Sequence, residues 1–418
     1  MAADKFVRMV LGVLVGFWMA RHLGPANFGA LNYAFAAVAL FLPVAEMGLD
    51  AVVRRILLVE PEWAGDCLFW ARRLRGAAAC LSYLLIVVWA LAAPMGARDQ
   101  WLLLVAGLGL FQPAGMVADL WLQAHLYARS SVLSQWLALL IGAAWRVGLI
   151  LTDSSLVAFA WVAIAEAACV AAGIELAARR LGRPRKSPAP DRSLRNELIR
   201  GALPLLLSGL AIALYMRIDV VMLRSIAGVE AAGVYAAAVR ISELWYFVPV
   251  ALASSLLPAI LRSRAEGPAV YERRLQQFYD LNAGLALLVA AGTALIAGPL
   301  VGWAYGPAFA AAAPVLRWHA WASVFVFIGV VRGQFLANEN LGWFYFAATS
   351  VGGGLNVLLN LWLIPRSGPL GAAQATLISY AAAAWLSSWF HPAVRATAMM
   401  QSRALLIPFR AWRYLRFP

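Results

Sequence analysis

Twelve long runs of apolar residues, separated by short breaks that carry most of the charge, dominate this sequence. The hydrocarbon core of a bilayer is about 30 Å thick, and a helix needs about 20 consecutive apolar residues to cross it. The runs have that length and are rich in helix-forming Leu and Ala, unlike the short alternating strands of a membrane barrel. They occupy residues 6–22, 30–49, 76–93, 101–123, 132–151, 155–176, 201–223, 232–258, 278–299, 314–336, 343–364 and 370–392.

The composition agrees with this interpretation and excludes an ordinary soluble domain. Only 13% of the residues are charged and 63% are apolar, whereas about a quarter of a soluble protein is charged. The runs fill most of the 418 residues, so no room is left for a separate water-soluble domain. The sequence therefore predicts an all-α integral membrane protein with about twelve transmembrane helices.

The distribution of basic residues predicts the orientation of the spans. Twenty-five of the 34 Lys and Arg residues lie in alternate breaks and at both ends, four lie in the opposite breaks, and five lie within spans. Because cytoplasmic loops are enriched in Lys and Arg, both termini are predicted to be cytoplasmic. The net charge of +14 arises in these loops, so we expect the basic rim to contact anionic membrane lipids rather than nucleic acid.

A basic linker divides the chain into two halves of six spans. Residues 177–200 are rich in Arg and Pro and cannot form apolar core. The predicted organisation is an N-terminal six-helix bundle at 1–176, the linker, a C-terminal six-helix bundle at 201–393 and a basic tail at 394–418.

The two halves show signs of an internal repeat. RHLGPANFGAL follows the first span with Gly24 and Gly29 five residues apart, and RSIAGVEAAGVY follows the seventh with Gly228 and Gly233 at the same spacing. A shift of 204 residues superposes both pairs. Since each half has an even number of spans, the repeat is parallel, an arrangement that transporters use.

Three blocks of sequence resemble a known family. They are YMRIDVVMLRSIAGVEAAGVYAAAVRISELWYFVPVALASSLLPAIL, RHLGPANFGALNYAFAAVALFLPVAEMGLDAVVRR and LNVLLNLWLIPRSGPLGAAQATLISY. Together they are similar to the polysaccharide flippases of the O-antigen type, within the multidrug/oligosaccharidyl-lipid/polysaccharide exporter superfamily. Only twenty residues precede Arg21, fewer than in the family, so the resemblance implies a marginal first span and favours an earlier start.

The resemblance implies an alternating-access transporter in the bacterial inner membrane. It would move an undecaprenyl-diphosphate-linked oligosaccharide repeat unit from the cytoplasmic to the periplasmic leaflet. A polysaccharide polymerase and chain-length machinery are the protein partners that such a role implies. The sequence also lacks a His, Cys and carboxylate cluster with metal-like spacing, so we expect neither a metal nor a cofactor.

Arginines within the spans are the candidates for binding an anionic headgroup. Arginine at the bilayer centre costs about 2.5–3.5 kcal/mol on insertion scales, and its planar guanidinium binds diphosphate well. Arg240 matches a basic position of the family. Arg146 and Arg332 have no acidic residue three or four positions away, so each needs a distant partner or a ligand. Arg217 is either a headgroup contact or half of an ion pair, and Arg317 is expected to reach the interface.

Acidic residues within or near the spans are candidates for coupling or for ion pairs. Intramembrane carboxylates mostly pair with cations, but they also suit a coupling cation. Asp219 matches an acidic family position beside Arg217, and Glu243 is one turn from Arg240, where the two can pair. The complete set is Asp219, Glu46, Asp119, Glu166 and Glu243.

Two alternatives to the oligosaccharide flippase follow from the same residues. A peptidoglycan-precursor flippase or a cation-coupled drug exporter would share the superfamily, but carboxylates would dominate the spans of a drug exporter, and here five arginines also lie within the spans. A membrane glycan polymerase or ligase would need a sizeable outer loop. The longest outer connection is about 298–314 and carries no nucleophile with a base, so we do not predict an enzyme.

Overall fold

The computed structural model describes residues 2–184, 186–187 and 190–410, and this part of the chain is helical almost throughout, without strands. The first nine helices are α1 Ala2–Glu46, α2 Leu49–Val59, α3 Ala64–Ala92, α4 Ala97–Gly107, α5 Gln112–Gly115, α6 Val117–Ala124, α7 Ala128–Leu151, α8 Leu156–Arg180 and α9 Arg192–Ala227. The others are α10 Val229–Glu243, α11 Phe247–Arg262, α12 Pro268–Leu295, α13 Ala297–Tyr305, α14 Ala312–Asn338, α15 Gly342–Ala384, α16 Arg395–Leu405 and α17 Ile407–Arg410.

Ten helical stretches among the described residues are long and apolar enough to cross a membrane. Two of them, Val7–Val59 and Gly342–Phe390, have 53 and 49 residues. At 1.5 Å per residue, each exceeds 70 Å if straight, more than twice the hydrocarbon thickness of about 30 Å. Each therefore supplies two spans. The ten stretches give the twelve spans that the sequence predicts.

The breaks in the spans show how the helices turn. The predicted span 101–123 is divided into α4, a 3₁₀ turn at Leu108–Phe111, α5 and α6, and the predicted span 232–258 is divided at Leu244–Tyr246 into α10 and α11. Pro113 and Pro249 lie in the first turns of α5 and α11, where a proline removes no intrahelical hydrogen bond. Both runs still form one membrane-spanning stretch each, and hydropathy gave no sign of these breaks because it does not record them inside an apolar run.

The internal repeat extends to backbone conformation. Gly24, inside α1, has φ 70° and ψ 170°, and Gly228, which precedes α10, has φ 96° and ψ 170°. This region of backbone space is essentially restricted to glycine. The two glycines that a shift of 204 residues superposes thus make the same turn in each half.

Packing separates the chain into two compact units, Met1–Val221 and Met222–Pro418, with the boundary inside α9. The division at the 177–200 linker is based on the repeat and stays a prediction. The core of the first unit combines α2, α6, α8 and α9 through Ile56, Leu120, Ile174 and Leu198. The core of the second combines α12 and α14 through Phe278, Tyr279, Ile328 and Val331.

Polar contacts in the first unit connect the same loops that the distribution of basic residues assigns to one side of the membrane. On the basic side, Arg55 pairs with Glu197 at 2.7 Å. On the opposite side, His22 lies 3.4 Å from Asp153, and Arg98 donates to Asn27 at 3.0 Å. These contacts join segments that the sequence assigns to a common face. The assignment of the basic face to the cytoplasm stays a prediction.

Candidate functional site

Arg146 on α7 and Glu166 on α8 form an ion pair within the spans of the first unit. Arg146 Nη2 donates to Glu166 Oε2 at 2.6 Å, and the two side chains are 19% and 22% exposed. The helices are neighbours joined by residues 152–155. At 1.5 Å per residue, Arg146 lies about 8 Å and Glu166 about 15 Å from that connection. Glu166 is the distant partner that Arg146 requires, yet both groups keep a face open.

Gly142, one turn before Arg146, provides the space for this pair. A Cβ atom at Gly142 would lie 2.7 Å from Oε2 of Glu166 and 3.4 Å from Nη1 of Arg146. The first distance is shorter than Cβ contacts allow, so any larger residue would displace the carboxylate. The sequence gave no sign of this role, because the carboxylate is on another helix.

Arg332 on α14 binds the end of α15 in the second unit. Its Nη1 donates to the carbonyl of Ala383 at 2.8 Å and its Nη2 donates to Ser387 Oγ at 2.9 Å. The guanidinium also lies 5.2 Å from the ring centroid of Phe344. Because carbonyls in the last turn of a helix have no intrahelical donor, a cation there stabilises the terminus. The side chain is only 2% exposed, so these contacts describe a structural anchor.

Arg240 and Glu243 lie one turn apart on α10, and both are half-buried. Both interact with neighbouring groups. The charge of Arg240 acts on the phenol of Tyr305, whose hydroxyl donates to the carbonyl of Ala237 at 3.1 Å. The structure therefore places Arg240 beside α13, in partly exposed surroundings.

The remaining arginine candidates differ in burial. On α9, Arg217 is half-buried and Asp219 is 3% exposed, and both interact with neighbouring groups. Arg317 is exposed and lies in the second turn of α14, as expected for a side chain that reaches the interface.

Glu46 belongs to a charged cluster at the basic end of the first unit. The charges of Asp50 and Arg75 act on its carboxyl. Arg75 pairs with Asp50 and donates to the carbonyls of Glu46 at 3.1 Å and Pro113 at 3.2 Å. Arg75 is 3% exposed, although its position at the edge of an apolar run suggested a loop residue. It fastens the end of α1 to α3 and α5.

Asp119 on α6 is the acidic candidate with the fewest polar contacts. Gln123 Nε2 donates to its Oδ2 at 2.7 Å, and its Oδ1 has no hydrogen-bond partner among the described residues. The side chain is 6% exposed. A buried, unsatisfied carboxylate oxygen is costly, so the Oδ1 atom of Asp119 is placed to accept a further donor or to contact a cation.

A buried polar network in the second unit was not predicted from the sequence. His319 Nδ1 lies 2.6 Å from Ser242 Oγ, and Tyr235 shares a hydrogen bond of 3.0 Å with Thr376. The rings of Tyr235 and His319 meet edge to face, with their centroids 5.9 Å apart. Tyr235 and Ser242 are seven residues apart and thus share a face of α10, which is the only signal in the sequence.

The described residues contain no group of three or more His, Cys, Asp or Glu side chains arranged to hold a metal ion. The charged candidates are distributed over both units. Arg146 and Glu166 pair with each other across two helices, and Arg332 donates to a carbonyl of α15.

These features define a polytopic helical membrane protein of the two-lobe, twelve-span class. A family described as polysaccharide biosynthesis protein matches residues 3–264, and the chain belongs to that family.

Two curated relatives match shorter segments. The chain is 29% identical over 111 residues to the EPS I polysaccharide export inner membrane protein EpsE of Ralstonia nicotianae, covering 26% of each protein. It is 29% identical over 175 residues to the probable flippase AglR of Haloferax volcanii, covering 40% of this chain and 35% of AglR. The matches thus span about a quarter and a third of these relatives.

Solved structures share the fold over nearly the whole chain. An inward-facing multidrug resistance MATE family transporter of the MOP superfamily has a TM-score of 0.70 at 16% identity, covering 96% of this chain and 95% of its own. The lipid II flippase MurJ, in an inward closed conformation, has a TM-score of 0.69 at 12% identity, covering 100% and 92%. At these identities the likeness concerns the fold alone.

Proposed function

We propose that this protein is a flippase that moves an undecaprenyl-diphosphate-linked oligosaccharide across the bacterial inner membrane by alternating access. Membership of the polysaccharide biosynthesis family, the names of the relatives and the shared fold of a lipid flippase support a lipid-linked glycan as the substrate. The protein acts as a transporter rather than as an enzyme. Both termini lie in the cytoplasm, and a polymerase with its chain-length machinery consumes the product.

The observation that carries the proposal is the pair of Arg146 with Glu166. The guanidinium is held within the spans by one carboxylate, and 19% of its side chain stays exposed. A guanidinium offers five N–H donors in a fixed plane, and the hydrogen bond to Glu166 uses one. Arg146 is therefore positioned to receive an anionic oxygen without leaving Glu166.

Arg240 is the second candidate for contact with the headgroup, before Arg217 and Arg332. It is half-buried on α10, in the unit opposite to Arg146 in the repeat. Arg217 keeps both roles that the sequence allows. Arg332 acts through the position of α15 rather than through direct contact, because two of its donors bind Ala383 and Ser387.

The membrane potential assists outward movement of the headgroup. Each negative charge that moves outward gains about 2.3 kcal/mol per 100 mV. Two charges on a diphosphate would gain about 4–5 kcal/mol per 100 mV before any counter-ion moves with them. The candidates for binding a coupling cation are Asp119, Glu46, Glu166, Glu243 and Asp219, and Asp119 leads because its Oδ1 has no partner among the described residues.

Complementation tests the function. Arg146→Ala and Arg240→Ala, expressed at the normal level in a flippase-null strain, should each reduce surface polysaccharide at least tenfold. Full complementation by both variants would remove the headgroup assignment. A phosphatase fused within residues 177–200 should be inactive in cells, and an active fusion would overturn the orientation.

The peptidoglycan-precursor flippase is the second candidate, because MurJ shares the fold over the whole chain. Rescue of a strain that lacks its lipid II flippase, without rescue of polysaccharide export, would favour it. A drug exporter would instead raise drug resistance when expressed, as the MATE likeness suggests.

A further inference from the structure

A basic pocket opens at one end of the first unit, away from the charged pair of α7 and α8. It has a volume of about 830 Å³ and is formed by the start of α3, the start of α6, the end of α8 and the chain that follows α8. Glu175, which lies beside it on α8, is nine residues from Glu166, or about 14 Å along the helix. The lining residues are Gly65, Leu68, Phe69, Arg72, Arg73, Val117, Arg179, Arg183, Pro184 and Lys186.

Five of these side chains are cationic, and none of the described lining residues is acidic. Glu175 binds three of the cations. Arg179 Nε donates to its Oε1 at 2.8 Å, Arg183 Nη1 donates to its Oε2 at 2.7 Å, and Arg72 also donates to Oε2. One carboxylate therefore orients three guanidinium groups while it neutralises a single charge.

The other two cations rest on one aromatic ring. The guanidinium carbon of Arg73 lies 4.8 Å, and Nζ of Lys186 lies 5.0 Å, from the ring centroid of Phe69. Such cation–π contacts orient a cation without removing its charge. The neighbouring residue Ser187 fixes the chain at Lys186, because its N and Oγ donate to Asp66 at 2.7 and 2.6 Å. Asp66 therefore already accepts two hydrogen bonds from Ser187, and its charge also acts on Lys186.

We propose that this pocket binds the phosphate of an anionic phospholipid headgroup. Guanidinium groups match phosphate oxygens through paired hydrogen bonds, and the surplus of positive charge attracts an anion. The pocket lies at the ends of the membrane-spanning helices α3 and α8, where headgroups lie, and Leu68, Phe69 and Val117 provide an apolar wall for the glycerol and the first chain carbons. The site is separate from the proposed transport path and does not depend on which glycan is moved.

Lipid binding to the purified full-length protein tests this inference. Native mass spectrometry would measure binding of phosphatidylglycerol, with phosphatidylcholine as the neutral lipid. Arg73→Gln with Lys186→Gln should weaken phosphatidylglycerol binding by about tenfold or more, because each basic residue near a headgroup contributes about 1 kcal/mol. Both side chains are exposed, and neither is bonded to Glu175 in the structure, so the fold should persist.

The matched control removes two charges from the same side outside the pocket. Arg180→Gln with Arg192→Gln changes two exposed arginines that do not line it, and phosphatidylglycerol binding should change less than about twofold. If both double variants lost phosphatidylglycerol binding equally, the lipid would bind to diffuse surface charge, and the proposal of a specific pocket would be wrong. Binding of inorganic pyrophosphate or of undecaprenyl diphosphate more tightly than phosphatidylglycerol would assign the pocket to a free anion or to substrate, and would overturn the phospholipid as its occupant.

Discussion

The carboxylate of Glu166 accepts a hydrogen bond from the guanidinium of Arg146 at 2.6 Å, between two adjacent membrane-spanning helices. Each group compensates the cost of placing the other in the membrane. The contact thus has a structural value whether or not Arg146 also binds substrate. Separating the two roles requires variants that remove the charge without leaving an unpaired partner.

Removing one partner should destabilise the protein, and removing both should not. Glu166→Met is expected to lower the free energy of unfolding by roughly 2 kcal/mol. Breaking a fully buried ion pair costs more, about 3–5 kcal/mol, but this pair is partly exposed. The double variant Arg146→Met with Glu166→Met should recover most of that loss, because no charge stays unpaired. Thermal unfolding of the purified protein in detergent measures both effects.

Transport separates the roles of the same variants. If Arg146 contacts the headgroup, the double variant is stable but inactive in the complementation assay. Recovery of activity together with stability would show that the pair is structural only.

Gly142→Ala tests the geometry of this pair without changing a charge. The added Cβ would meet Glu166 Oε2 at 2.7 Å, so the carboxylate must move away from Arg146, and we expect activity to fall at least fivefold. The control is Gly148→Ala on the same helix, where a Cβ meets no atom within 4 Å. Alanine is favoured over glycine within a helix by about 0.5–1 kcal/mol, so Gly148→Ala should be neutral or stabilising. Equal behaviour of the two variants would contradict the role of Gly142.

Apolar run length was sufficient to predict the class and the spans, and the glycine spacing indicated the repeat that includes Gly228. These signals are local or periodic, and the bilayer imposes them directly. The interruption at Leu108–Phe111 was not predictable, because the residues on both sides are equally apolar.

The partners of the charged candidates were harder to predict than their positions. Arg332 binds groups 51 and 55 residues away, and Arg75 binds the carbonyl of Glu46, 29 residues away. Patterns of three or four residues along one helix cannot report contacts between helices. For this reason Arg332 resembled a ligand-binding residue, and Arg75 resembled a loop residue.

Arg332 is expected to act through the stability of α15. Arg332→Ala should lower the free energy of unfolding by about 2–3 kcal/mol, because it removes charge-assisted hydrogen bonds to Ala383 and Ser387. Ser387→Ala removes one of these contacts and should cost about 1 kcal/mol. Thermal unfolding without substrate measures both losses. An Arg332→Ala variant as stable as the wild type would instead indicate that the guanidinium serves a ligand.

The turn glycines of the two halves should respond alike to substitution. Gly24→Ala and Gly228→Ala each force a side chain into backbone space that only glycine adopts readily, at a cost of about 1–3 kcal/mol. A Cβ would meet no atom within 4 Å at either position, so the loss comes from the backbone alone. Gly12→Ala, in the regular part of α1 and equally open, serves as the control for melting temperature and should not be destabilised. A loss at one turn glycine only would argue against equivalent turns.

Asp119 should link transport to a cation gradient. Asp119→Asn keeps the shape of the side chain and an oxygen that can accept the hydrogen bond from Gln123. It removes the charge from a side chain that is 6% exposed. Because the variant no longer buries a carboxylate with an unsatisfied oxygen, its melting temperature should equal or exceed that of the wild type. Transport in vesicles should lose its response to an imposed proton or sodium gradient. Glu62→Gln, an exposed carboxylate in the same unit, should leave that response intact. An unchanged gradient response in Asp119→Asn, with normal expression, would assign coupling to another carboxyl group.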